Sequence, residues 1–570
     1  MRLSDRKKQR RQRQIILRIL FFATILRLFL FWKIPLSYWT EQVYDDQLMF
    51  RYAESLADFQ WLGSYSHVTL VKSASYPFFV AVCHLIRLPY SLAVGLLCVA
   101  SAAVFVKAAE RLIPAFVWRA AIYLLILYSP VGFKYLIVQR TYQAALIPYA
   151  VILVFSCMIA VFLRREDEKS MRRWAAGGAV CLPFFYYIRD DSIWIMPFVL
   201  TVTLVTIGCL FWKKRHITGT FVRKSIWAAL PVIALGAVTL GICTMNYIHY
   251  DEFVTSERTG SEFADLMDCL YKIEDKGASP DVWCSNDAIA KAIAVSPALE
   301  SIEEEILGQE LNWSGGSNKD MKGDMPMWVM RCALDDAGYY KSARKMKQFC
   351  GRAAQELEEA FEKGTLKKDG LLHLSSVQIQ KEYIQNGKYW KDFLRYFTGA
   401  ACYKGDTAIV CKMGISHGKV RDIGRWEDFF RSRTTYPSDR QGAFGIIDHI
   451  VGIIVKVIDT LFHLLSYLTN IAAAAGLIFL TAALSRDRRH IEMWLCICGM
   501  VLSAALLAAA VVLFCSWFDS KMESSVYMYL AGTYPLLQIA KYLTIYQSLR
   551  LLAERGGVLG VSLGDRVRRV

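Results

Sequence analysis

Residues 1–35 read MRLSDRKKQRRQRQIILRILFFATILRLFLFWKIP, a strongly basic segment followed by an apolar run that begins at Ile15. An apolar run of this length crosses a hydrocarbon core of about 30 Å as one helix. The run carries Arg27 and ends without a small-residue cleavage site. We therefore interpret it as a retained first transmembrane helix rather than a signal peptide.

Similar apolar blocks recur along the chain, which has 570 residues and a hydrophobic fraction of 55%. Soluble globular proteins have a lower apolar fraction, interrupted by amphipathic periodicity. The pattern predicts an all-α polytopic membrane protein with about ten transmembrane helices in a lipid bilayer. The predicted spans are 15–35, 89–108, 116–131, 144–163, 174–188, 192–212, 225–247, 467–484, 491–515 and 525–545.

Short basic connectors between these blocks predict the orientation of the chain. They are RREDEKSMRR at 164–173, WKKRHITGTFVRK at 212–224 and RDRRH at 486–490. Lys and Arg in short loops stay in the cytoplasm, which predicts a multi-pass plasma-membrane protein with both termini cytoplasmic. The net charge of +16 is concentrated in such segments, so it indicates topology and not a nucleic-acid partner.

This orientation requires that the apolar stretch 76–107 crosses the membrane once. Two full crossings need about 40 residues and a turn, and the stretch is too short for them. We therefore predict a short interfacial helix over 76–88, broken at Arg87-Leu88-Pro89, and a true span after the break. A proline in the first turn of a helix fits this prediction, because its missing N–H is no loss there.

The spans and connectors together predict the domain organisation. The chain is divided into a basic cytoplasmic tail (1–14), a transmembrane domain of seven spans (15–248) with a first outer loop (36–88), an extracytoplasmic domain (249–440), an interfacial amphipathic helix (441–466), three C-terminal spans (467–546) and a second basic cytoplasmic tail (547–570).

The extracytoplasmic domain is predicted to be mainly helical. The runs at 286–308 and 342–364 show the 3.6-residue periodicity of amphipathic helices. Ser285 or Asn286 is a candidate cap for the first run, and Ser342 for the second.

Six cysteines fall in this outer segment, and an even number there permits disulfides. Closeness in sequence makes Cys402–Cys411 the favoured pair among Cys269, Cys284, Cys332, Cys350, Cys402 and Cys411. None of them has CxxC spacing, so zinc is not indicated. We expect no cofactor; a divalent metal is possible but not indicated.

Charged residues occur in all three outer loops of the predicted transmembrane domain. A carboxylate at such a place can take a proton from an attacking hydroxyl, and cations can neutralise a departing phosphate. Three charged loops on one side of a membrane suggest a polar cavity there. The candidates are Asp45, Asp46, Arg51, Lys72 and Tyr76 in the first loop, Arg140, Tyr142 and Gln143 in the second, and Arg189, Asp190 and Asp191 in the third.

This order of features resembles the GT-C superfamily of membrane glycosyltransferases, which includes the protein O-mannosyltransferases and the lipid A aminoarabinose transferases. The residues that carry the resemblance are YDDQLMFRYAESLADFQW after the first span, Lys72-Ser-Ala-Ser-Tyr76-Pro77, the turn IRDDSIW at 188–194 and VSPALESI at 295–302. The chain departs from the family pattern at Gln143, where an acidic residue is usual, and in the serines that replace loop glycines before Tyr76.

The resemblance implies transfer of a sugar from a polyprenyl-phosphate carrier to a glycan, lipid or protein acceptor on the extracytoplasmic face. Asp45 or Asp46 would be the catalytic base, with Arg51, Lys72, Arg140 and Arg189 as phosphate-binding residues. Tyr76, Tyr142, Gln143, Asp190 and Asp191 would support the site. Arg27, near the middle of the first span, would face either a partner inside the bundle or the phosphate of the lipid carrier.

Three other functions remain compatible with the sequence. A polysaccharide polymerase or ligase acting on lipid-diphosphate-linked glycans needs the same outer arginines and carboxylate. A transporter or flippase is disfavoured, because neither an internal repeat nor a pair of Gly/Pro-broken spans is evident. A non-catalytic scaffold of surface-glycan assembly would need none of the charged residues for chemistry.

Overall fold

The structure is a computed structural model. It describes residues 3–214, 217–275, 279, 281–368, 373–374, 377–378, 381–407, 414–438, 445–485, 487–518 and 520–555.

The described chain is almost entirely helix and loop. The helices of the amino-terminal part are α1 (Leu3–Lys33), α2 (Asp46–Ala57), α3 (Ser75–Leu85), α4 (Tyr90–Ala108), α5 (Phe116–Leu127), α6 (Ile147–Leu163), α7 (Glu168–Tyr186), α8 (Met196–Lys214) and α9 (Gly219–Tyr250). Those of the outer segment are α10 (Glu262–Tyr271), α11 (Asn286–Ile293), α12 (Pro297–Glu300), α13 (Glu303–Trp313), α14 (Met325–Asp336), α15 (Ala343–Glu362), α16 (Lys381–Gln385), α17 (Lys388–Ala401) and α18 (Val420–Phe430).

The C-terminal helices are α19 (Ile446–Leu484), α20 (Ile491–Phe514), α21 (Glu523–Tyr529) and α22 (Thr533–Arg555). The described strands are β1 (His373–Leu374) and β2 (Val377–Gln378), which form one short antiparallel ladder. The predicted all-α class is therefore confirmed.

Seven helical segments of the described chain are long and apolar enough to cross a membrane: Arg10–Lys33, Tyr90–Arg111, Phe116–Phe133, Ser192–Trp212, Gly219–Tyr250, Ile446–Leu484 and Arg488–Trp517. The predicted spans 144–163, 174–188 and 525–545 also fall on helices. Of these helices, α6 has only 17 residues. Polar residues in α7 and α22 lower their average apolarity.

Helix α6 lies at the centre of the bundle. It is buried on all sides, as its uninterrupted apolar sequence requires. Helices α4, α7, α8 and α22 pack around it. Gly178 of α7 lets Pro231 of α9 approach closely, since a Cβ on Gly178 would lie 2.9 Å from the proline Cγ.

The chain breaks between α3 and α4 as predicted. Arg87 adopts a left-handed conformation with φ of 58°, and Leu88 N donates to Cys83 O at 2.9 Å. This hydrogen bond satisfies one of the free carbonyl groups at the C-terminal end of α3. Pro89 then precedes the first residue of α4. The first outer loop thus contains two helices, α2 and α3, which pack on each other.

The outer domain has its own core, built from α10 to α15 together with part of the first outer loop. Ser285 caps α11 by accepting from Ala288 N at 3.0 Å, as predicted. Ser342 stands at the N-cap of α15 but makes no side-chain capping bond there. The run 286–308, predicted as one helix, is three, because Pro297 starts a new helix and Ser296 before it is extended.

Residues 388–407 and 414–438 do not belong to that outer core. Helix α17 packs on α20 and α22, and Tyr403, Trp426 and Phe430 join the core of the membrane helices. The segment predicted as a single domain over 249–440 is thus divided between two cores.

Helix α19 contains parts of two elements that were predicted to be separate, the interfacial helix and the transmembrane span that begins at residue 467. It runs without interruption over 39 residues, so the boundary predicted at residue 466 does not occur within it. A helix of this length extends about 58 Å, which exceeds the hydrocarbon thickness.

Four of the six outer cysteines do not form disulfides. Cys269, Cys284, Cys332 and Cys350 are free and buried. Helices α10, α14 and α15 and the segment before α11 direct these thiols into the helical core, where they act as small apolar side chains. The favoured pair Cys402–Cys411 includes Cys411, which lies outside the described residues.

Candidate active site

Extended segments hold the first two outer loops together. Ser37 N donates to Gln139 O at 2.8 Å, which aligns the backbone of residues 36–40 with that of Arg140. On the other side Leu36 N donates to Arg433 O and Tyr38 O accepts from His417 N, both at 2.7 Å. A π-helical turn over Tyr135–Gln139 precedes Arg140, and such turns are frequent at functional sites.

Arg140 is paired with Asp46. Its Nε lies 2.9 Å from Asp46 Oδ1 and 3.1 Å from Oδ2, and its Nη2 also contacts Oδ2. The guanidinium lies between the rings of Trp39 and Tyr142, at 4.3 and 4.4 Å from their centroids. The Asp46 carboxylate is fully buried. This bidentate geometry fixes the orientation of both side chains.

Asp45 has a different environment. Its Oδ1 accepts from Lys72 Nζ and from the Tyr142 hydroxyl, both at 2.9 Å, and its Oδ2 lies 3.7 Å from Arg140 Nη2. The Asp45 side chain is 42% exposed, whereas Lys72 is 10% exposed. Asp45 therefore presents a carboxylate oxygen to solvent from a fixed position.

The charges around the pair set its protonation. Burial alone would raise the pKa of Asp45, but Lys72 and Arg140 bring that pKa well below its usual value. Burial also raises the pKa of Asp46, and Arg140 offsets part of that rise. Lys72 would lose its proton more easily on burial, yet Asp45 keeps the lysine pKa above its usual value. Asp45 and Lys72 thus form an ion pair at neutral pH.

The third outer loop contributes a second ion pair. Arg189 Nη2 donates to Asp191 Oδ2 at 2.6 Å, and the Arg189 guanidinium lies 4.5 Å from the ring centroid of Tyr529. Asp190 accepts a hydrogen bond from Ser73. The loops that carry Lys72 and Arg189 are therefore adjacent.

Electrostatic coupling joins the two ion pairs. Burial raises the pKa of Tyr142, Asp45 adds to that rise, and Arg140 and Arg189 oppose it. Burial likewise raises the pKa of Asp191, and Arg189 and Lys72 oppose that rise. Residues from all three outer loops consequently share one charged site.

Some predicted residues lie beside the site rather than in it. Gln143 is buried and donates from Nε2 to the Tyr142 hydroxyl at 3.2 Å. Tyr76 is buried, with its ring 6.3 Å from that of Tyr90. Arg51 is exposed and lines a separate groove with Glu54, Asp58 and Arg425. The prediction that Arg51 binds phosphate with the others is not supported by this placement.

Sequence reasoning missed three contributors. Trp39 stacks on Arg140, and Tyr529 of α21 stacks on Arg189. Arg258 of the outer domain donates to Asp324 at 3.2 Å. Burial lowers the pKa of Arg258, but Asp324 and Asp190 raise it above its usual value. Trp39 lies in the first outer loop but carries no charge, and Tyr529 and Arg258 lie outside the three charged loops, so no local signal marked them.

Arg27 faces the interior of the bundle, as predicted. It is fully buried, its Nε donates to Leu127 O and its Nη2 to Gly132 O, both at 2.9 Å. The rings of Phe31 and Phe133 lie 4.1 and 3.8 Å from its guanidinium carbon. These contacts match the structural interpretation of Arg27 rather than a phosphate contact.

No family model, curated protein or solved structure matches this chain. Within the described residues, no group of three or more His, Cys, Asp or Glu side chains is arranged to hold a metal ion. The charged and hydroxyl groups that the structure brings together here are Asp45, Lys72, Tyr142, Arg140 and Arg189.

Proposed function

We propose that the protein is a membrane glycosyltransferase that moves a sugar from a polyprenyl-phosphate carrier to a hydroxyl of its acceptor. One observation carries the proposal: Asp45, a partly exposed carboxylate, is held by Lys72 and Tyr142 and lies 3.7 Å from Arg140, while Arg189 belongs to the third loop, which contacts the first through Ser73 and Asp190. A base and several cations in one partly water-excluded site are what this transfer requires.

The reaction balances with these residues alone. The acceptor oxygen forms a bond to the anomeric carbon, and the bond from that carbon to the phosphate oxygen breaks with its electron pair going to phosphate. The acceptor proton goes to Asp45. The carrier changes from a phosphodiester with one negative charge to a monoester with nearly two. Neighbouring cations favour this change because the extra charge develops in the transition state.

The two adjacent aspartates have separate roles in this proposal. Asp46 is enclosed by Arg140 and positions that guanidinium, so it is not available to an acceptor. Asp45 has an oxygen open to solvent and is ionised at neutral pH. Asp45 is therefore the proposed base.

Lys72 couples the base to the leaving group. In the structure its ammonium contacts Asp45 Oδ1. When the departing phosphate attracts this ammonium, Asp45 loses a partner that holds its pKa down, so it becomes a stronger base as the proton is transferred. Arg189, which contacts Asp191 and Tyr529, supplies a second cation to the phosphate.

We further propose a GT-C-like bundle of about ten spans, with α6, α7 and α22 crossing in addition to the seven helices that meet the length and hydropathy criteria. Both termini would be cytoplasmic and the site extracytoplasmic. The basic connectors support this orientation, and the packing of α7 and α22 against the buried α6 supports the larger number of spans.

The proposal is tested by incubating the purified, reconstituted protein with radiolabelled polyprenyl-phosphate sugar and membrane extract as the acceptor source. Wild type should release polyprenyl phosphate and transfer the label. Asp45→Asn should reduce transfer by roughly 10²- to 10⁴-fold while donor binding persists. Asp58→Asn is the matched control, because Asp58 belongs to the same loop but lines the separate groove.

Two outcomes would count against the proposal. Equal transfer by wild type and Asp45→Asn would show that Asp45 is not the catalytic base. Transfer only from a diphosphate-linked donor would instead favour a polymerase or ligase.

A further inference from the structure

A second charged cavity lies at the opposite end of the bundle from the candidate active site. It has a volume of about 800 Å³ and opens between the end of α4, the end of α6 and the beginning of α7. This end of the bundle carries the basic connector 164–173. No residue of the candidate active site lines the cavity.

The charged lining of the cavity is mostly positive. It contains one acid, Glu110, which is already shared by Lys107 at 2.7 Å and Arg119 at 3.2 Å. Asp167 and Glu168 nearby are also engaged, in the cap of α7 and with Arg223. The basic lining residues are Lys107, Arg111, Arg164 and Arg173.

Two of these arginines, the buried Arg164 and the exposed Arg111, are held in place by helix ends. Arg164 is 5% exposed and donates to Ala108 O at 2.8 Å and Lys107 O at 2.9 Å, at the C-terminus of α4. Arg111 Nη1 donates to Leu163 O at 2.5 Å, at the C-terminus of α6. Burial lowers the pKa of Arg164, the nearby Arg111 lowers it further, and Glu110 and Asp167 oppose part of this effect. An anion placed between Arg111 and Arg164 would relieve the repulsion between them.

The rest of the wall is apolar. Val104, Leu153, Cys157 and Cys181 line it along the helices, and the Trp174 ring lies 5.1 Å from the Arg164 guanidinium at the charged end. Gly177 leaves a notch opposite Cys157, whose Sγ would be 3.3 Å from a Cβ at that position. The cavity thus combines a basic end with an apolar side that follows the helix axes.

We propose that this cavity binds one anionic phospholipid of the adjoining leaflet, with its phosphate at the basic residues and an acyl chain along α4 and α7. Basic pockets between transmembrane helices are typical binding sites for anionic headgroups. Charge complementarity favours the anionic headgroup, since the lining has four cations and a single, already paired acid. The apolar wall favours a lipid over a soluble phosphate, which could not bury it.

The test is native mass spectrometry of the full chain released from nanodiscs of phosphatidylcholine, with and without phosphatidylglycerol. Wild type should retain one phosphatidylglycerol. Lys107→Gln combined with Arg173→Gln should weaken retention about fivefold for each charge removed. The matched control is Lys169→Gln combined with Arg172→Gln, which removes two charges from the same connector outside the cavity lining and should retain the lipid.

Three outcomes would overturn the proposal. Equal loss of lipid in the test and control pairs would indicate a general charge effect. Displacement of phosphatidylglycerol by inorganic phosphate would indicate a soluble-anion site. Unchanged retention of phosphatidylglycerol by Lys107→Gln combined with Arg173→Gln would show that the lipid does not bind in this cavity. If the double variant does not fold, Arg173→Gln alone keeps the test valid, since Arg173 is exposed on the surface of α7.

Discussion

Asp45 and Asp46 are neighbours in sequence with opposite surroundings. Asp46 is the first residue of α2 and points into the protein, where both of its oxygens meet Arg140. Asp45 precedes the helix, and its oxygens meet Lys72, Tyr142 and solvent. The turn into α2 thus separates one carboxylate that holds an arginine from one that can accept a proton.

Arg189 and Arg51 provide a matched comparison of two predicted phosphate-binding residues. Arg189→Gln should raise the Kd for a polyprenyl-phosphate sugar by roughly 10- to 100-fold, because a charge-assisted bond to phosphate is lost. Arg51→Gln should leave this Kd unchanged, since Arg51 is exposed and lines the separate groove. Equilibrium binding of labelled donor to both variants measures this. Equal effects would show that neither residue acts through the proposed site.

Glu310 predicts a pH effect in the outer domain. Burial, followed by the nearby Asp320, raises its pKa to about 7, and its Oε1 has no hydrogen-bond partner among the described residues. The folded state therefore holds a proton that the unfolded chain releases near pH 4.3. Stability should be greatest below that pH, fall as pH rises from about 4.3 to 7, and change little from this group above 7.

The check for Glu310 is urea denaturation of the full chain between pH 5 and pH 8, followed by hydrogen exchange at α13. Glu310→Gln should flatten the pH dependence of α13 protection, because the amide does not titrate in this range. An identical slope in wild type and variant would assign the pH effect to other groups.

The site could be predicted from the sequence where its residues lie in short charged loops. Asp45, Lys72, Arg140, Arg189 and Asp191 were all marked in this way. Arg51 was predicted with them but lines a separate groove, because closeness along the chain is not closeness in space. Five residues along a helix rotate by about 140° around its axis, so Arg51 points away from Asp46.

At the scale of elements, helix starts and caps were predicted correctly from single residues, whereas predictions from periodicity or from the average apolarity of a segment missed helix boundaries. Pro89 marked the start of α4, and Ser285 capped α11. Pro297 was overlooked as a helix start within 286–308 because periodicity on both sides masked it. The boundary at 466 was placed where polar residues end, but a helix extending past the hydrocarbon can carry such residues without a break.

The contact between the first outer loop and the outer domain depends on one buried arginine. Arg331 of α14 is fully buried; its Nη2 lies 2.8 Å from Glu257 Oε2 and donates to Thr69 O at 3.0 Å. Tyr65 of the first outer loop donates to Glu257 Oε1 at 2.6 Å. This cluster fixes the loop segment that leads to Lys72.

Arg331→Met should lower the free energy of unfolding of the outer domain by about 3–5 kcal/mol, because Glu257 is left buried without its cation. Urea denaturation and hydrogen exchange of residues 62–71 measure the loss. Arg344→Met is the control, since its pair with Asp251 is exposed and should contribute less than about 1 kcal/mol. Adding Glu257→Gln to Arg331→Met should recover part of the loss. Equal effects of the two arginine variants would contradict a buried anchor.

At the scale of the whole molecule, the candidate site lies where the two cores meet. The first outer loop contributes to both cores, with Met49 and Phe50 in the membrane core and Leu48 and Tyr52 in the outer core. Asp45 and Asp46 begin the helix that carries these residues. Composition indicated the membrane region and the outer region. It could not predict that α2 contributes to both cores, because α2 has apolar residues on two faces and its partners are hundreds of residues away.

The last prediction concerns orientation. With the N-terminus in the cytoplasm, α7 begins on the cytoplasmic side and α15 lies outside. Lys169 and Lys345 are both exposed, one at the start of α7 and one on α15, so a cysteine at either position is accessible from its own side. In intact cells an impermeant maleimide should label Lys345→Cys and not Lys169→Cys, and permeabilisation should expose both. The native cysteines near these positions are buried, and labelling of the unaltered chain gives the background. Labelling of Lys169→Cys in intact cells would show that the bundle has the opposite orientation. Asp45 and Arg189 would then face the cytoplasm, and transfer on the outer face would lose its topological basis.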